Sequence, residues 1–271
     1  MSYLEIPLWR VAIALLLIAI AIVLSRSARL GLEKELGLGA VRAAVQLVAI
    51  GYALRLLIDS NHPVVVILVV GAMWMVAAIT STQRLQHGPP AKVLFPYALG
   101  AIGLGAFVAL FPVFALIIAP RPWFDARYFI PLAGMMLSSA MNVVAQVFER
   151  LFASAAAEDA TLEQFLALGA TPTQALAPYV KAALRAALIP TINGLVTVGL
   201  VALPGMMTGQ ILSGVAPEQA VRYQLVIMYQ LVAVAAVAGF AAARFARGLI
   251  FTESAELRAW PSRSQVKRRS S

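Results

Sequence analysis

The apolar positions of this chain are gathered into long blocks separated by shorter polar intervals. The blocks lie at approximately 9–24, 38–58, 63–80, 93–119, 129–148, 184–204 and 221–245. Each approaches the roughly 20 residues that carry an α-helix across a bilayer. The pattern predicts an all-α, polytopic bundle of about seven transmembrane helices, with residues 1–271 forming one transmembrane domain. The fourth block is long and carries Pro96 and Pro112, so a tilt or kink is expected there. The first block is not a secretory signal by its charges: Glu5 precedes it and Ser25, Arg26 and Arg29 follow it, the reverse of a signal peptide. It reads as a retained helix with its N-terminus outside.

Composition agrees with the blocks. Charged residues make up 12% and apolar residues 61% of the chain, whereas a soluble domain carries about a quarter charged residues. No water-facing surface can be built from that mixture, and lipid is the solvent that accepts it. The formal net charge of +9 raises nucleic acid as a partner, but the basic residues fall between and after the apolar blocks. That is the placement of cytoplasmic loops beside an anionic membrane. Seven crossings from an outside N-terminus leave the C-terminus inside. The inside segments then hold Arg26, Arg29, Lys34, Arg84, Lys92, Arg150, Lys181, Arg185 and every basic residue from Arg244 onward. The outside segments hold only Arg10, Arg55, Arg121, Arg127 and Arg222, which obeys the positive-inside rule. Residues 246–271 read as a basic cytoplasmic tail with a cluster at Lys267, Arg268 and Arg269. Arg42 and Arg55, near opposite ends of the second block, snorkel to the interfaces in the simplest reading.

Several chemistries are missing. The chain has no cysteine, hence no disulfide and no thiolate ligand or nucleophile. It has no GxxxxGK[ST] loop, so it does not hydrolyse ATP by the P-loop route and carries no cofactor of its own. His62 and His87 fall in loops on opposite sides and cannot share a metal. Acidic residues avoid the spans, with Asp59 and Glu149 at their ends, which counts against a proton relay. Coupling to sodium through backbone and hydroxyl oxygens remains open.

The longest hydrophilic interval, 149–183, joins the fifth and sixth blocks and reads as two short helices around a turn. The first is amphipathic, with Leu162, Phe165, Leu166 and Leu168 among polar neighbours. Gly169 stops it, because glycine enters the left-handed conformation without steric cost. Thr171 caps the next helix, Pro172 takes its first position, and Gln174 completes a T-x-x-Q capping box. An ordinary surface hairpin accounts for all of this equally well. Glu163 followed by Gly169, in a loop before a late span, nevertheless resembles the EAA loop of ABC-transporter permeases, with Gln164 and Phe165 in place of the two alanines. The resemblance implies that Glu163, Phe165, Gly169, Thr171 and Gln174 form a coupling element that docks on a separate ATPase.

A second resemblance is longer. The run Leu203-Pro204-Gly205-Met206-Met207-Thr208-Gly209-Gln210, followed by Pro217 and Val221-Arg222-Tyr223-Gln224, is similar to the signature of FetB-type permeases. These are bacterial iron-export ABC permeases related to plant aluminium-tolerance proteins. Val41-Arg42-Ala43-Ala44-Val45-Gln46-Leu47 is also similar to theirs. The resemblance implies a permease homodimer in the bacterial inner membrane that exports iron, driven by a cytosolic ATPase subunit that binds ATP and Mg. Alternatives are an ABC permease for another solute such as a sugar nucleotide, an ion-coupled secondary transporter or channel without an ATPase, and a membrane scaffold.

Polar residues inside the spans mark candidate pathway positions. Met135, Ser139, Asn142, Gln146 and Glu149 recur at three- and four-residue spacing, which places them on one helical face. Such a stripe faces a water-filled path or makes hydrogen bonds between helices. Gln46, Asn193 and Thr197 are similar intramembrane polar residues. Met206, Met207, Thr208 and Gln210 follow the helix-breaking Pro204-Gly205 pair and offer thioether, hydroxyl and amide groups. Thioethers suit soft ions better than ferrous iron, and methionine is also a common packing residue, so the metal ligands stay unassigned.

Overall fold

A computed structural model of the protein describes residues 7–60, 62–83, 85, 87–252, 254, 256–258 and 260. Arg84 and the basic cluster at Lys267, Arg268 and Arg269 lie outside the described residues. The described residues are almost wholly helical, and seven of the helices are long and apolar enough to cross a membrane. The chain divides into two compact units, 1–61 and 62–271.

The first unit is a helical pair, α1 (Leu8–Ser27) and α2 (Glu33–Ser60). The turn between them is tightly bonded. Arg29, at φ +52°, lets its own N–H reach Arg26 O at 3.2 Å and the Leu30 N–H reach Ser25 O at 2.9 Å. These two bonds satisfy carbonyls that the helix end would leave open. The buried Ser25 hydroxyl donates to Glu33 Oε1 at 3.1 Å and accepts from the Leu32 N–H at 3.2 Å, joining both helices.

The second unit contains α3 (Pro63–Gln83), α4 (Ala91–Pro112), α5 (Ala126–Ala157), α6 (Asp159–Ala167), α7 (Pro172–Thr197), α8 (Gly205–Leu212) and α9 (Pro217–Ile250). Its centre is α4, α5 and α9, with α3 against the first two and α7 against α5 and α9. Small residues make this packing possible, since apolar side chains gain nothing by leaving lipid and close backbone contact supplies the attraction. Ala98, Ala101 and Ala109 of α4 and Ala235, Ala238 and Ala242 of α9 are buried. Gly105 sits where these two helices meet: a Cβ there would lie 2.8 Å from Ala238 Cβ and 3.0 Å from Val234 O.

At the proline-bearing fourth span the winding changes locally. Directly after Pro112, residues Val113–Ile117 form a π-helical turn in which the Ile118 N–H bonds Val113 O at 2.8 Å. At the same place the Val113 N–H bonds Leu110 O, and Ala109 O accepts from Nε2 of the buried Gln230 at 3.0 Å. A side chain of α9 thus satisfies a carbonyl at the disturbed end of α4.

Three expectations need correction. The second short helix of the 149–183 interval is not separate, because α7 begins at Pro172 and continues unbroken into the sixth span. Its first turns carry Thr173, Gln174 and Lys181, polar enough to read as loop by hydropathy alone. The sixth span also ends at Thr197, before 204, where Val198 turns extended and Gly199 adopts φ +81°. The Gly199 N–H then bonds Ala202 O at 3.0 Å in a tight reversal, and α8 starts afresh at Gly205. Residues 246–250, assigned to the tail from sequence, are the last turns of α9. Beyond them the chain turns back, with Phe251 bridged to Leu257, the Arg258 N–H on Ile250 O at 2.8 Å and Trp260 Nε1 donating to Leu249 O at 2.9 Å. These bonds cap carbonyls at the end of α9.

Candidate functional site

The polar stripe of the fifth span lines a cavity of about 750 Å³ between α5, α7 and α9. Ser139, Asn142 and Gln146 are in its wall together with Met135, as their common helical face requires. Glu149, one turn further along α5, is half-buried and not part of the lining. From α7 come Pro190, Thr191 and Gly194, and from α9 Met228 and Leu231. Pro190 removes a backbone N–H from the interior of α7, and a Cβ at Gly194 would meet nothing within 4 Å, so glycine leaves that part of the wall open. The lining therefore offers hydroxyl, amide and thioether groups and no ionisable side chain.

Sequence reasoning missed Ser138, Thr191 and Met228. Ser138 adjoins the predicted stripe, and Thr191 follows the helix-interior Pro190, so both left a signal. Met228 left none, because one methionine in an apolar block is indistinguishable from packing. Asn193 and Thr197 of α7 are outside the lining, and the Thr197 hydroxyl donates to Asn193 O at 2.8 Å.

The remaining pathway positions are placed elsewhere. Gln46 lies on α2, in the other unit. Met206, Met207, Thr208 and Gln210 lie on α8, which packs on α9. Met206 is half-buried against the core, the Thr208 hydroxyl donates to Pro204 O at 3.2 Å, and Gln210 Oε1 is buried without a hydrogen-bond partner among the described residues. Among the described residues, no three histidine, aspartate or glutamate side chains stand close enough together to hold a metal ion.

The second region is the turn between α6 and α7. Gly169 has φ +89°; its N–H bonds Leu166 O at 2.9 Å, and the Ala170 N–H bonds Phe165 O at 3.0 Å. This pair of bonds is the Schellman C-cap, which needs the left-handed residue where glycine stands. The capping box follows at once: the Gln174 N–H bonds Thr171 Oγ1 at 3.3 Å, and the Thr171 N–H bonds Gln174 Oε1 at 2.8 Å. The orientation of α6 is thus fixed at its junction with α7.

The apolar side chains of α6 divide between two directions. Leu162 is fully buried and Leu166 packs against the core, whereas Phe165 is 41% and Leu168 84% exposed. Glu163 and Asp159 line a smaller cavity of about 270 Å³ shared with Phe152, Arg258 and Trp260. The five sequence-selected residues therefore occupy different places: Thr171 and Gln174 shape the turn with Gly169, Phe165 projects outward, and Glu163 borders the chain's own C-terminal segment.

Seven helices long and apolar enough to span a membrane among the described residues, with a polar stripe of one of them facing a cavity, make this a multi-pass membrane protein. The chain belongs to the uncharacterised protein family UPF0014, whose pattern matches residues 8–251. It is 38% identical over 213 residues to the UPF0014 membrane protein slr1647 of Synechocystis, covering 79% of this chain and 82% of that one. It is 35% identical over 247 residues to the protein ALUMINUM SENSITIVE 3 of Arabidopsis thaliana, covering 91% and 88% respectively. It is also 35% identical over 224 residues to the probable iron export permease protein FetB of Escherichia coli, covering 83% and 84%. No solved structure matches it.

Proposed function

We propose that this chain is the membrane-spanning permease subunit of an ABC transporter, working as a homodimer in a bacterial inner membrane and exporting iron. A separate cytosolic ATPase binds ATP and Mg and supplies the work. The observation that carries the transport reading is the cavity of about 750 Å³ that collects the polar stripe of α5 within the spans. Polar side chains cost free energy in hydrocarbon, and a stripe of them facing a cavity is what a solute path requires. Its neutral oxygen, amide and thioether groups bind weakly, which suits a site that must release its cargo. The iron assignment rests on the similarity to the Escherichia coli relative named as a probable iron export permease.

For coupling, the exposed Phe165 and Leu168 offer an apolar contact for the ATPase on a helix whose pose is set by the Gly169 turn. ATP-driven closure of two ATPases then pulls on α6. Because α7 is one helix from Pro172 to Thr197, continuous through Pro178, the pull passes along it to Pro190 and Thr191 in the cavity wall. The N-terminus lies outside and the C-terminus inside in this arrangement.

The test is reconstitution of the permease with its ATPase and measurement of which solute stimulates ATP hydrolysis, together with metal content in cells lacking the chain. Stimulation by iron and raised cellular iron are expected. Unchanged metal content with altered handling of an organic solute overturns iron as cargo and leaves the permease reading standing. ATP hydrolysis indifferent to the permease's presence overturns the ABC reading itself.

A further inference from the structure

A second concavity, of about 540 Å³, lies between α7 and α9 at the end of the bundle that carries α6. The two helices run antiparallel there: Arg247 in the last turn of α9 donates from Nη1 to Oγ1 of Thr173 in the first turn of α7, at 2.6 Å. Three cations, Lys181, Arg244 and Arg247, line the groove. Its other walls are apolar, with Leu176, Val180 and Leu184 along α7 and Phe240 facing them from α9. Arg244 and Arg247 follow Phe240 by one and two turns and stand at the mouth, whereas Lys181, eight residues in from Thr173, starts level with Phe240 and has a stem long enough to carry its ammonium toward Arg244. From Thr173 to Leu184 the groove extends about 16 Å along the helix at 1.5 Å per residue. That is roughly half of a hydrocarbon core about 30 Å thick.

Among the described residues, neither helix of the groove sets a carboxylate beside these cations. α7 carries no acidic residue, and α9 carries only Glu218, in its first turn at the opposite end. Asp159 and Glu163 of the neighbouring α6 border the other cavity, beside Arg258 and Trp260. The apolar wall, meanwhile, belongs to helices long and apolar enough to span the membrane, and Phe240 is 61% exposed.

We propose that this groove is a binding site for one anionic phospholipid. The headgroup phosphate is held by Lys181, Arg244 and Arg247, and an acyl chain lies along Val180, Leu184 and Phe240. An anionic headgroup complements three cations gathered at a membrane surface, and only a lipid brings an apolar chain of the right length to the same place. The Thr173–Arg247 bond pre-orders one of the three cations. The site stands on this groove alone and is independent of what the permease carries.

Native mass spectrometry of the purified full chain, titrated with phosphatidylglycerol and separately with phosphatidylcholine, tests the proposal. The unmodified protein should retain phosphatidylglycerol preferentially. Each basic side chain near an anionic surface contributes about fivefold, so Lys181→Gln with Arg244→Gln should weaken phosphatidylglycerol retention at least about tenfold. That variant leaves the Thr173–Arg247 bond in place, and Arg244→Lys with Lys181→Arg should restore binding. Arg150→Gln, an exposed cation on α5, should change nothing. Equal retention of the two lipids by the unmodified protein, or an equal loss in Arg150→Gln, overturns the proposal. The chain has no cysteine of its own. Efficient disulfide cross-linking between two copies through Ala177→Cys, a groove-lining position, would mark the groove as an interface between copies and overturn it as well.

Discussion

Replacing Gly169 isolates what the α6–α7 turn contributes. The residue sits at φ +89°, and a Cβ built there has nothing within 4 Å. Any effect of a side chain at this position is therefore conformational, with no contribution from a clash against neighbours. An L-residue held in the left-handed region costs roughly 1–2 kcal/mol, and a β-branched one is the most strained. The cheapest escape is to give up the bonds from Gly169 to Leu166 and from Ala170 to Phe165, which frees α6 to swing and carries Phe165 and Leu168 away from their set positions. Gly169→Val should leave insertion and folding of the spans intact, because none of their packing passes through the turn. It should weaken attachment of the ATPase or uncouple hydrolysis from transport. Roughly 1–2 kcal/mol corresponds to about five- to thirtyfold in the fraction of correctly posed α6. Asparagine tolerates the left-handed region, so Gly169→Asn should lose much less and Gly169→Ala should fall between. The assay is co-purification of the ATPase with each variant, followed by transport per ATP hydrolysed in vesicles. Equal behaviour of asparagine and valine, or normal coupling in Gly169→Val, would refute the reasoning and leave an ordinary surface hairpin. Thr173→Val is unsuitable as a neutral control, since its hydroxyl accepts from Arg247.

Asn142→Leu, which removes an amide from the cavity wall while keeping the branched shape of the side chain, should cut transport by at least an order of magnitude with the chain still folded, as read by transport in vesicles beside thermal unfolding in detergent. Gly105→Ala should be costly, roughly 1–3 kcal/mol as overpacking, because the new methyl meets Val234 O and the Ala238 backbone, which cannot turn aside. Gly239→Ala, whose Cβ would meet only the side-chain ends of Val143 and Leu184 at 3.1 and 3.2 Å, should be milder in the same unfolding measurement. Reporter fusions at Ser2 and Ser271 should report opposite sides of the membrane, and a shared side would mean that the number of crossings is even.

The spans were legible because lipid imposes one requirement, a sustained apolar stretch, that composition alone meets or fails. Their ends were less legible where capping and hydropathy disagree. The start of α7 is the clearest case: Thr171, Pro172 and Gln174 mark it correctly as a helix start, yet the hydropathy of the next turns suggests that the helix stops again. Helical continuity through Pro178 and Pro190 follows from packing against α5 and α9, which the sequence does not display. The end of the same helix was misplaced for the opposite reason. Residues 198–204 are apolar enough to extend a span, and Pro204-Gly205 is the conspicuous break, but the reversal occurs earlier, at Gly199.

The candidate site divides along the same line. A stripe of Ser139, Asn142 and Gln146 is a statement about one helix, and helical periodicity carries it directly into the cavity wall. Which other helices complete that wall is a statement about neighbours, and only a distinctive residue at the contact reveals it in sequence, as Thr191 after Pro190 nearly does. The LPGMMTGQ run shows the limit of the converse inference. It is the most distinctive string in the chain, yet the structure places it on α8 against α9, with Thr208 bonded to its own helix and outside the main cavity. In sequence it links the broken end of α7 to α9, the two helices that share the cavity wall with α5, and in space it packs on α9. In the proposed transport cycle such a link would act on the path by shifting α9, without the thioethers of Met206 and Met207 touching the cargo. Substituting both by leucine, which keeps volume and removes sulfur, should therefore leave transport within about twofold by the small cost of such swaps. Breaking the reversal at Gly199 with valine, at φ +81°, should impair it. The opposite ranking of these two variants in the vesicle assay would return the methionines to the pathway.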